Sequence, residues 1–156
     1  MYEQATGDFR QLVKDITVTP AMLRYLDAVD NVAGSPNENY ARELFELFII
    51  GKGPLISEGN YSHYTENDIQ EAARSLTGWK INANTAESFF NSALHDKNQK
   101  VFSGYYSGHT LSNQEENEYK ALIDMILSKE ETARHIIRKL YRWFVYHEID
   151  EVTDFR

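Results

Sequence analysis

The 156-residue sequence has no cysteine, and it contains only three prolines and eight glycines. Without cysteine the chain forms no disulfide bond and offers no thiolate to a metal, so either a reducing or an oxidising compartment is compatible with it. The scarcity of proline and glycine argues against long flexible linkers. The sequence also lacks any apolar run of the length that a membrane span requires.

Basic residues are outnumbered, with 16 Lys and Arg against 24 Asp and Glu, which gives a formal net charge of −8. A general nucleic-acid-binding protein needs a basic surface for its phosphate contacts, so this charge argues against that class. Residues 1–7 have neither the basic nor the apolar region of a signal peptide. Residues 148–156 end without a clear terminal element, and we therefore expect this sequence to be a segment of a longer chain.

Aromatic residues are abundant, with ten Tyr, eight Phe and two Trp. This content is typical of a folded chain, and the length suits one domain with a hydrophobic core. Some of these side chains could line a sugar-binding surface, but aromatic residues at this density more often belong to the core and its margin. The members of this group are Tyr61, Tyr64, Trp79, Tyr105 and Tyr106.

Residues 36–51, which we call the signature helix, have the clearest helical pattern of the chain. Asn37 can cap the start, and Gly51 suits the left-handed position just past the end. At 100° per residue, one face is apolar. This face consists of Tyr40, Ala41, Leu44, Leu47 and Phe48, with Phe45 at its margin.

The opposite face of the signature helix carries Glu38, Arg42 and Glu46 at i, i+4 spacing. Such ladders are common on solvated helix faces and stabilise a helix only slightly. The functional alternative is that Arg42 and Glu43 make buried contacts at a helix junction or pocket, with Glu43 as a candidate catalytic carboxylate. The structural role is the more common one for such ion pairs.

Four further helices are predicted before the last one, over residues 8–15, 20–27, 65–77 and about 113–127. Thr19 followed by Pro20 is a start signal, and Thr65 with Asp68 resembles a capping box. Residues 128–131 predict a second capping box for a last helix. That helix is expected to bury Ala133, Ile136, Ile137, Leu140 and Phe144 and to carry Arg134, Arg138 and Arg142 on another face.

Between these helices, residues 79–108 change character. Residues 79–82, 88–91 and 100–102 are short strand candidates, separated by turn-like residues 82–85 and 96–99. We therefore predict a mainly α fold: a single multi-helix orthogonal domain over residues 1–156, with about six helices and a small irregular β-insert at about 79–108.

The pair His95–Asp96 is the most enzyme-like feature. Imidazole and carboxylate groups can ligate a divalent metal, as a His-Asp pair does in helical phosphohydrolases, and His63 upstream could complete a partial set. Those enzymes place the pair on a helix, whereas residues 97–100 look like a turn here. The structural alternative is that His95 and Asp96 organise that turn through Asx-type hydrogen bonding.

Several stretches together resemble one bacterial protein family. They are the signature helix, residues 64–69, the run Ala72-Ala73-Arg74-Ser75-Leu76-Thr77-Gly78-Trp79, residues 20–27, the pair His95–Asp96, and residues 132–145. On this basis the chain is similar to the domain-of-unknown-function 1800 family, whose members are usually much longer. The loop over residues 53–64 is longer than the resemblance leads us to expect.

The resemblance implies an exported protein, at the periplasm or the cell surface. It also implies a possible partner in the sulfatase-like domain-of-unknown-function 1501 family, whose genes often lie nearby. It supplies no catalytic residue. Our leading hypothesis is a non-catalytic binding or scaffold module without a cofactor, with Arg42, Arg74 and Trp79 as candidate binding residues. The alternative is a metal-dependent hydrolase that uses His95, Asp96 and His63, so whether the chain is an enzyme stays open.

The substitution Arg42→Ala separates the two interpretations of the charged ladder. A solvated ladder predicts a loss of well under ~1 kcal/mol in the free energy of unfolding, because exposed ion pairs contribute little. A buried network predicts a loss of several kcal/mol, on the order of 3–5, because removing one partner leaves buried charge uncompensated. Urea unfolding of both proteins measures the difference.

Overall fold

The computed structural model describes residues 7–148, which contain six α-helices and three two-stranded antiparallel sheets. The helices are α1 (Phe9–Thr17), α2 (Pro20–Tyr25), α3 (Asn39–Glu43), α4 (Glu66–Ser75), α5 (Glu118–Leu127) and α6 (Glu130–Phe144). The strands are β1 (Leu55–Ser57), β2 (Asn60–Tyr61), β3 (Trp79–Ile81), β4 (Ser88–Phe90), β5 (Lys100–Val101) and β6 (Thr110–Leu111). The prediction of a mainly helical chain with a small β-insert is confirmed, whereas the orthogonal arrangement and the single domain stay predictions.

The signature helix is a composite of α3 and a π-helical segment, Leu44–Ile49, which we call the π turn. The cap residue of α3 is Glu38, which makes no side-chain cap bond, and the predicted cap Asn37 lies one residue earlier, where its Oδ1 accepts from the backbone N–H of Asn39 at 2.9 Å. At the other end Gly51 has φ +75°, as predicted, and its N–H donates to the Phe45 carbonyl at 2.8 Å. The stop signal is therefore confirmed, and the start signal is displaced by one residue.

The π turn changes which side chains the signature helix buries. A π helix has more residues per turn than an α-helix, so positions after Glu43 rotate away from the face that an α-helical wheel predicts. Phe45, predicted at the margin, is completely buried, whereas Leu47, predicted on the apolar face, is 52% exposed. Leu47 nevertheless lines the same concave surface as Tyr40, Leu44 and Phe48, as the predicted face requires, although it is not covered.

The capping signals before α2 and α4 are confirmed. Thr19 accepts from the Met22 N–H, and Thr65 and Asp68 form a reciprocal capping box. Ile69, Ala72 and Ala73 on α4 are completely buried. They belong to a core shared with the signature helix and with Leu122, Ile123 and Ile126 of α5.

The β-insert is made of two separate hairpins, β3 with β4 and β5 with β6. The three strands predicted in this region correspond to β3, β4 and β5 and are confirmed, whereas β6 was not predicted. The loop after Gly51 also contains an unpredicted hairpin, β1 with β2, whose register shifts between Leu55 and Ser57.

Helix α6 differs most from its prediction. Its expected capping box is absent: Lys129 occupies the cap position without a side-chain cap bond, and the Ser128 hydroxyl donates to the Met125 carbonyl. The predicted buried residues are not buried. Ala133 is exposed, Ile136 is partly buried, and Ile137, Leu140 and Phe144 are 43%, 51% and 76% exposed. Apolar periodicity located the face correctly, but within residues 7–148 nothing covers most of it.

Within residues 7–148, no helix combines the length and apolar character needed to cross a membrane. The expectations about the N-terminal residues 1–6 and the C-terminal residues 149–156 lie outside the described part of the chain.

A comparison of Gly51→Ala with Gly34→Ala tests how the signature helix ends. Both glycines have positive φ, so alanine at either position costs about 1 kcal/mol in backbone strain. A Cβ at Gly51 would also lie 2.6 Å from His135 Nδ1, whereas a Cβ at Gly34 would meet nothing within 4 Å. We expect Gly51→Ala to lower the free energy of unfolding by at least about 1 kcal/mol more than Gly34→Ala, as measured in urea. Equal losses would show that the His135 side chain moves away from the new methyl group without a cost in free energy.

Candidate functional site

Arg42 joins the signature helix to α4. Its guanidinium donates to Glu66 Oε2 at 3.2 Å and to Glu38 Oε2 at 3.0 Å, and it lies 3.8 Å from Glu46 Oε1. The bond to Glu66 raises the pKa of Arg42 and lowers the pKa of Glu66. The Arg42 side chain is 33% exposed, so the ladder is neither freely solvated nor deeply buried. Arg42 therefore clamps two helices together, which is an architectural role.

Glu43 lies on the other side of the same turn. Its Oε2 atom is shielded from solvent and has no hydrogen-bond partner among residues 7–148. No charged or nucleophilic side chain in that part of the chain pairs with Glu43, so the geometry does not assemble a catalytic group around it.

Arg74 and Asp96 form a second network at the other end of α4. Arg74 Nε donates to Asp96 Oδ2 at 2.8 Å, and Arg74 Nη1 donates to Glu71 Oε1 at 2.6 Å. The Arg74 guanidinium holds the pKa of Asp96 at about 2, below its ordinary value of 3.8. Asp96 Oδ1 also accepts from the Asn98 N–H at 2.9 Å, which is the Asx-type bond of the structural alternative. Asp96 thus fixes a turn and pairs with an arginine.

His95 belongs to a third network, which is buried completely. Its Nε2 lies 3.2 Å from Glu118 Oε2, and Glu118 Oε1 lies 2.6 Å from Lys100 Nζ. All three side chains have zero exposure. Lys100 Nζ additionally donates to the Asp96 carbonyl, which links this network to the turn.

The hydrogen bonds fix how His95 is protonated at Nδ1. The Thr77 carbonyl can only accept, so His95 Nδ1 donates to it across 2.9 Å. The Thr77 hydroxyl donates to the Arg74 carbonyl at 2.7 Å. At Nε2 the ring lies 3.2 Å from the carboxylate oxygen Glu118 Oε2. Both ring nitrogens are therefore engaged by the protein itself.

This geometry gives the metal alternative no support. Among residues 7–148, no group of three or more His, Asp or Glu side chains is arranged to hold a metal ion. His63 bonds to the Gly51 carbonyl at 3.0 Å, in a different part of the molecule from the buried His95. Asp124, which could have served as a distant ligand, lies 2.6 Å from Arg10 and 2.7 Å from Lys14.

Trp79 is a packing residue at the base of the β-insert. Its ring contacts Phe90 and Tyr119 edge-on, with centroids 5.6 and 5.5 Å apart. Of the aromatic group that could have formed a sugar-binding surface, Tyr64 and Tyr106 are buried and contact Phe45 edge-on. The aromatic residues therefore build the core and its margin, as the commoner alternative predicts.

Two of the concave surfaces that α6 borders differ in character, one apolar and one polar. The first, which we call the apolar groove, has a volume of about 390 Å³ and is bounded by α1, the signature helix and α6. Its walls include Phe9, Leu12, Leu44, Phe48, Ile136 and Leu140. The second, which we call the polar cleft, has a volume of about 430 Å³ and lies between the end of the signature helix, the following loop and the N-terminal half of α6.

The family model described as "Protein of unknown function (DUF1800)" matches residues 1–153. The chain belongs to this family. No curated protein and no solved structure matches it. The resemblance drawn from the signature helix is thus confirmed, and the DUF1800 family brings a name without an assigned activity.

Sequence reasoning on this DUF1800 chain missed the partners that matter most. Glu118 lies within the helix predicted at about 113–127, and Lys100 lies within the strand candidate at 100–102, without a functional role for either. The bond that joins them depends on how the β-insert meets α5, which no local pattern encodes. The one available signal was the His95–Asp96 pair, which did mark the right region but for a structural reason.

The substitution Glu118→Gln tests the buried network. It removes the negative charge and leaves Lys100 buried without a counter-ion, so we expect a loss of about 3–5 kcal/mol in the free energy of unfolding. Glu130→Gln is the control, because Glu130 pairs with Arg134 while 74% exposed, and it should change stability by less than about 0.5 kcal/mol. Urea unfolding measures both. Similar small losses would show that the buried charges are not coupled.

Proposed function

We propose that this DUF1800 chain is a non-catalytic helical binding module whose apolar groove receives an amphipathic helix with acidic flanks. The observation that carries the proposal is the uncovered apolar face of α6 beside the groove. A groove bounded by helices, with apolar side chains on its walls, is a common receptor for the apolar stripe of another helix.

The exposed apolar side chains continue from the groove along α6. Leu140 lines the groove and is 51% exposed, and Trp143 and Phe144 follow it at 83% and 76% exposure. Leu47 of the π turn adds a half-exposed side chain on the facing wall. Contiguous apolar surface of this kind is uncommon on isolated soluble domains and usually marks a binding interface.

The charged residues beside the groove indicate which kind of helix would bind there. Residues 132–147 contain no Asp or Glu, although the whole chain carries a net charge of −8. Within this stretch Lys139 lines the groove, and none of the described residues that line the groove is an Asp or Glu. A helix with Asp or Glu beside its apolar stripe is therefore complementary, because opposite charges at the rim favour encounter and fix orientation.

The biological setting of the proposal comes from the family resemblance alone. We propose that the module acts within an exported protein and that a sulfatase-like protein of the domain-of-unknown-function 1501 family is its partner. The hydrolase alternative is set aside, because the candidate ligands His95 and Asp96 are engaged by Glu118, Thr77 and Arg74.

A designed peptide tests the groove. A fluorescently labelled helical peptide with Leu at i, i+3, i+4 and i+7 and Glu on both flanks should bind the protein in an anisotropy titration. The same peptide with Lys in place of Glu should bind at least about tenfold more weakly, because its flanks face Lys139 in a groove whose described lining has no acidic residue.

Two matched leucine substitutions locate the binding surface. Leu140→Glu in the groove should weaken binding of the acidic peptide at least about tenfold, which corresponds to about 1.4 kcal/mol. Leu55→Glu on β1, where the leucine is 64% exposed and outside the groove, should leave it unchanged. Equal effects would contradict the proposal. Binding of anionic vesicles, or dimerisation that Leu140→Glu abolishes while the peptide does not bind, would assign the surface to a membrane or to a second copy instead.

A further inference from the structure

The polar cleft concentrates basic side chains on a protein that is acidic overall. Two of its walls supply five such groups, Lys52 and His63 from the segment after the signature helix and Arg134, His135 and Arg138 from α6. Against them stand two carboxylates, Glu46 and Glu131. The walls carry three permanent positive charges and two carboxylates, and Arg134 also forms an ion pair with Glu130 outside the cleft at 2.6 Å.

The two carboxylates of the cleft already have partners of their own. Glu46 accepts from the Tyr64 hydroxyl at 2.5 Å and lies 2.8 Å from Lys52 Nζ, with a side chain that is only 9% exposed. Glu131 Oε2 accepts from the Tyr105 hydroxyl at 2.8 Å. The backbone N–H of Glu131, and then Tyr105, lower the pKa of Glu131. Both carboxylates are therefore held against the wall by hydrogen bonds from tyrosine hydroxyl groups.

Both histidines of the cleft rest against a glycine. A Cβ at Gly51 would lie 2.6 Å from His135 Nδ1, and a Cβ at Gly53 would lie 2.9 Å from His63 Nε2. The turn Gly51-Lys52-Gly53 therefore leaves room for two imidazole rings where any other residue would displace them. His63 Nδ1 faces the Gly51 carbonyl and donates to it at 3.0 Å, so Nε2 is the nitrogen that can gain a proton.

His135 lies close to several basic groups of this region. Burial lowers the pKa of His135, and the proximity of Lys139, His63 and Arg138 lowers it further, while the hydrogen bond to the Leu47 carbonyl opposes the shift. His63 and Arg134 contribute to the lowered pKa of Glu131, so this carboxylate offsets part of the positive charge of the cleft. A bound anion would offset the repulsion that remains beside His135.

We propose that the polar cleft is a binding site for a tetrahedral oxyanion, a phosphate or sulfate group, held by Arg134, Arg138 and the two histidines. Arginine presents donors that match the oxygens of such a group, and each histidine can donate a proton to it. A volume of about 430 Å³ admits the anion together with part of the molecule that carries it. The site lies on the other side of α6 from the apolar groove and does not depend on the groove's occupant.

Calorimetric titration with inorganic phosphate, sulfate and acetate tests the site. We expect saturable binding of phosphate or sulfate with one site per chain and much weaker binding of acetate. Whichever of phosphate and sulfate binds more tightly identifies the carried group. Absence of saturable binding, or acetate binding as tightly as the tetrahedral anions, would overturn the proposal.

Two arginine substitutions on the same helix locate the anion. Arg138→Gln in the cleft should weaken phosphate or sulfate binding at least about tenfold, because a charge-assisted hydrogen bond is lost. Arg142→Gln, four residues later and outside the cleft, removes the same charge and should leave the affinity unchanged. Equal weakening by both would show non-specific attraction to α6 and would overturn the site.

The unsubstituted protein provides an independent measurement if either variant fails to fold. In an NMR titration, phosphate should raise the pKa of His135, since the anion stabilises the protonated ring beside Lys139 and Arg138. The ring resonances of His63 should move with it, whereas those of His109 and His147, which are exposed and outside the cleft, should stay in place. Uniform movement of all four rings would show that the anion does not occupy the cleft.

Discussion

The connection between the β-insert and the helical core depends on the buried ionic contacts of Glu118. A charged group in the interior is stable only when opposite charges and hydrogen-bond donors surround it. Glu118 at the start of α5 meets this requirement by drawing in Lys100 from β5 and His95 from the turn before it. The β-insert is thereby fastened to the helical core by charge as well as by apolar packing. Because Lys100 also donates to the Asp96 carbonyl, the same network reaches Arg74 on α4.

The signature helix organises the opposite side of the core. Its α-helical part presents Tyr40 and Ala41 inward, and the π turn then buries Leu44 and places Phe45 between Tyr64 and Tyr106. Segments of π helix are often associated with functional sites. Here Leu47 of the π turn lines the apolar groove, and its carbonyl accepts from His135 and Lys139 of α6. One local irregularity therefore shapes the groove and positions the helix that borders the polar cleft.

The features that could be predicted from sequence are those that short-range bonds determine. The caps at Thr19 and Thr65 and the left-handed Gly51 each depend on atoms within a few residues, so their positions were correct. The π turn could not be predicted, because an α-helical wheel assigns Leu47 and Phe45 by period alone. The apolar face of α6 was located correctly, but a pattern does not reveal whether other residues cover it. For the candidate sites, His95 and Asp96 marked an important region, yet Glu118, Lys100 and His135 acquire their roles from contacts distant in sequence.

Helix α6 has a property that follows from its position between two concavities. Ile136 and Leu140 line the groove, whereas Arg134 and His135 line the cleft. Neighbouring residues of the same helix therefore belong to different surfaces. Lys139 and His135 of α6 both donate to the Leu47 carbonyl, and these hydrogen bonds join α6 to the π turn. The helix that carries the side chains of the groove therefore also carries those of the cleft, so a substitution that shifts α6 would change both surfaces.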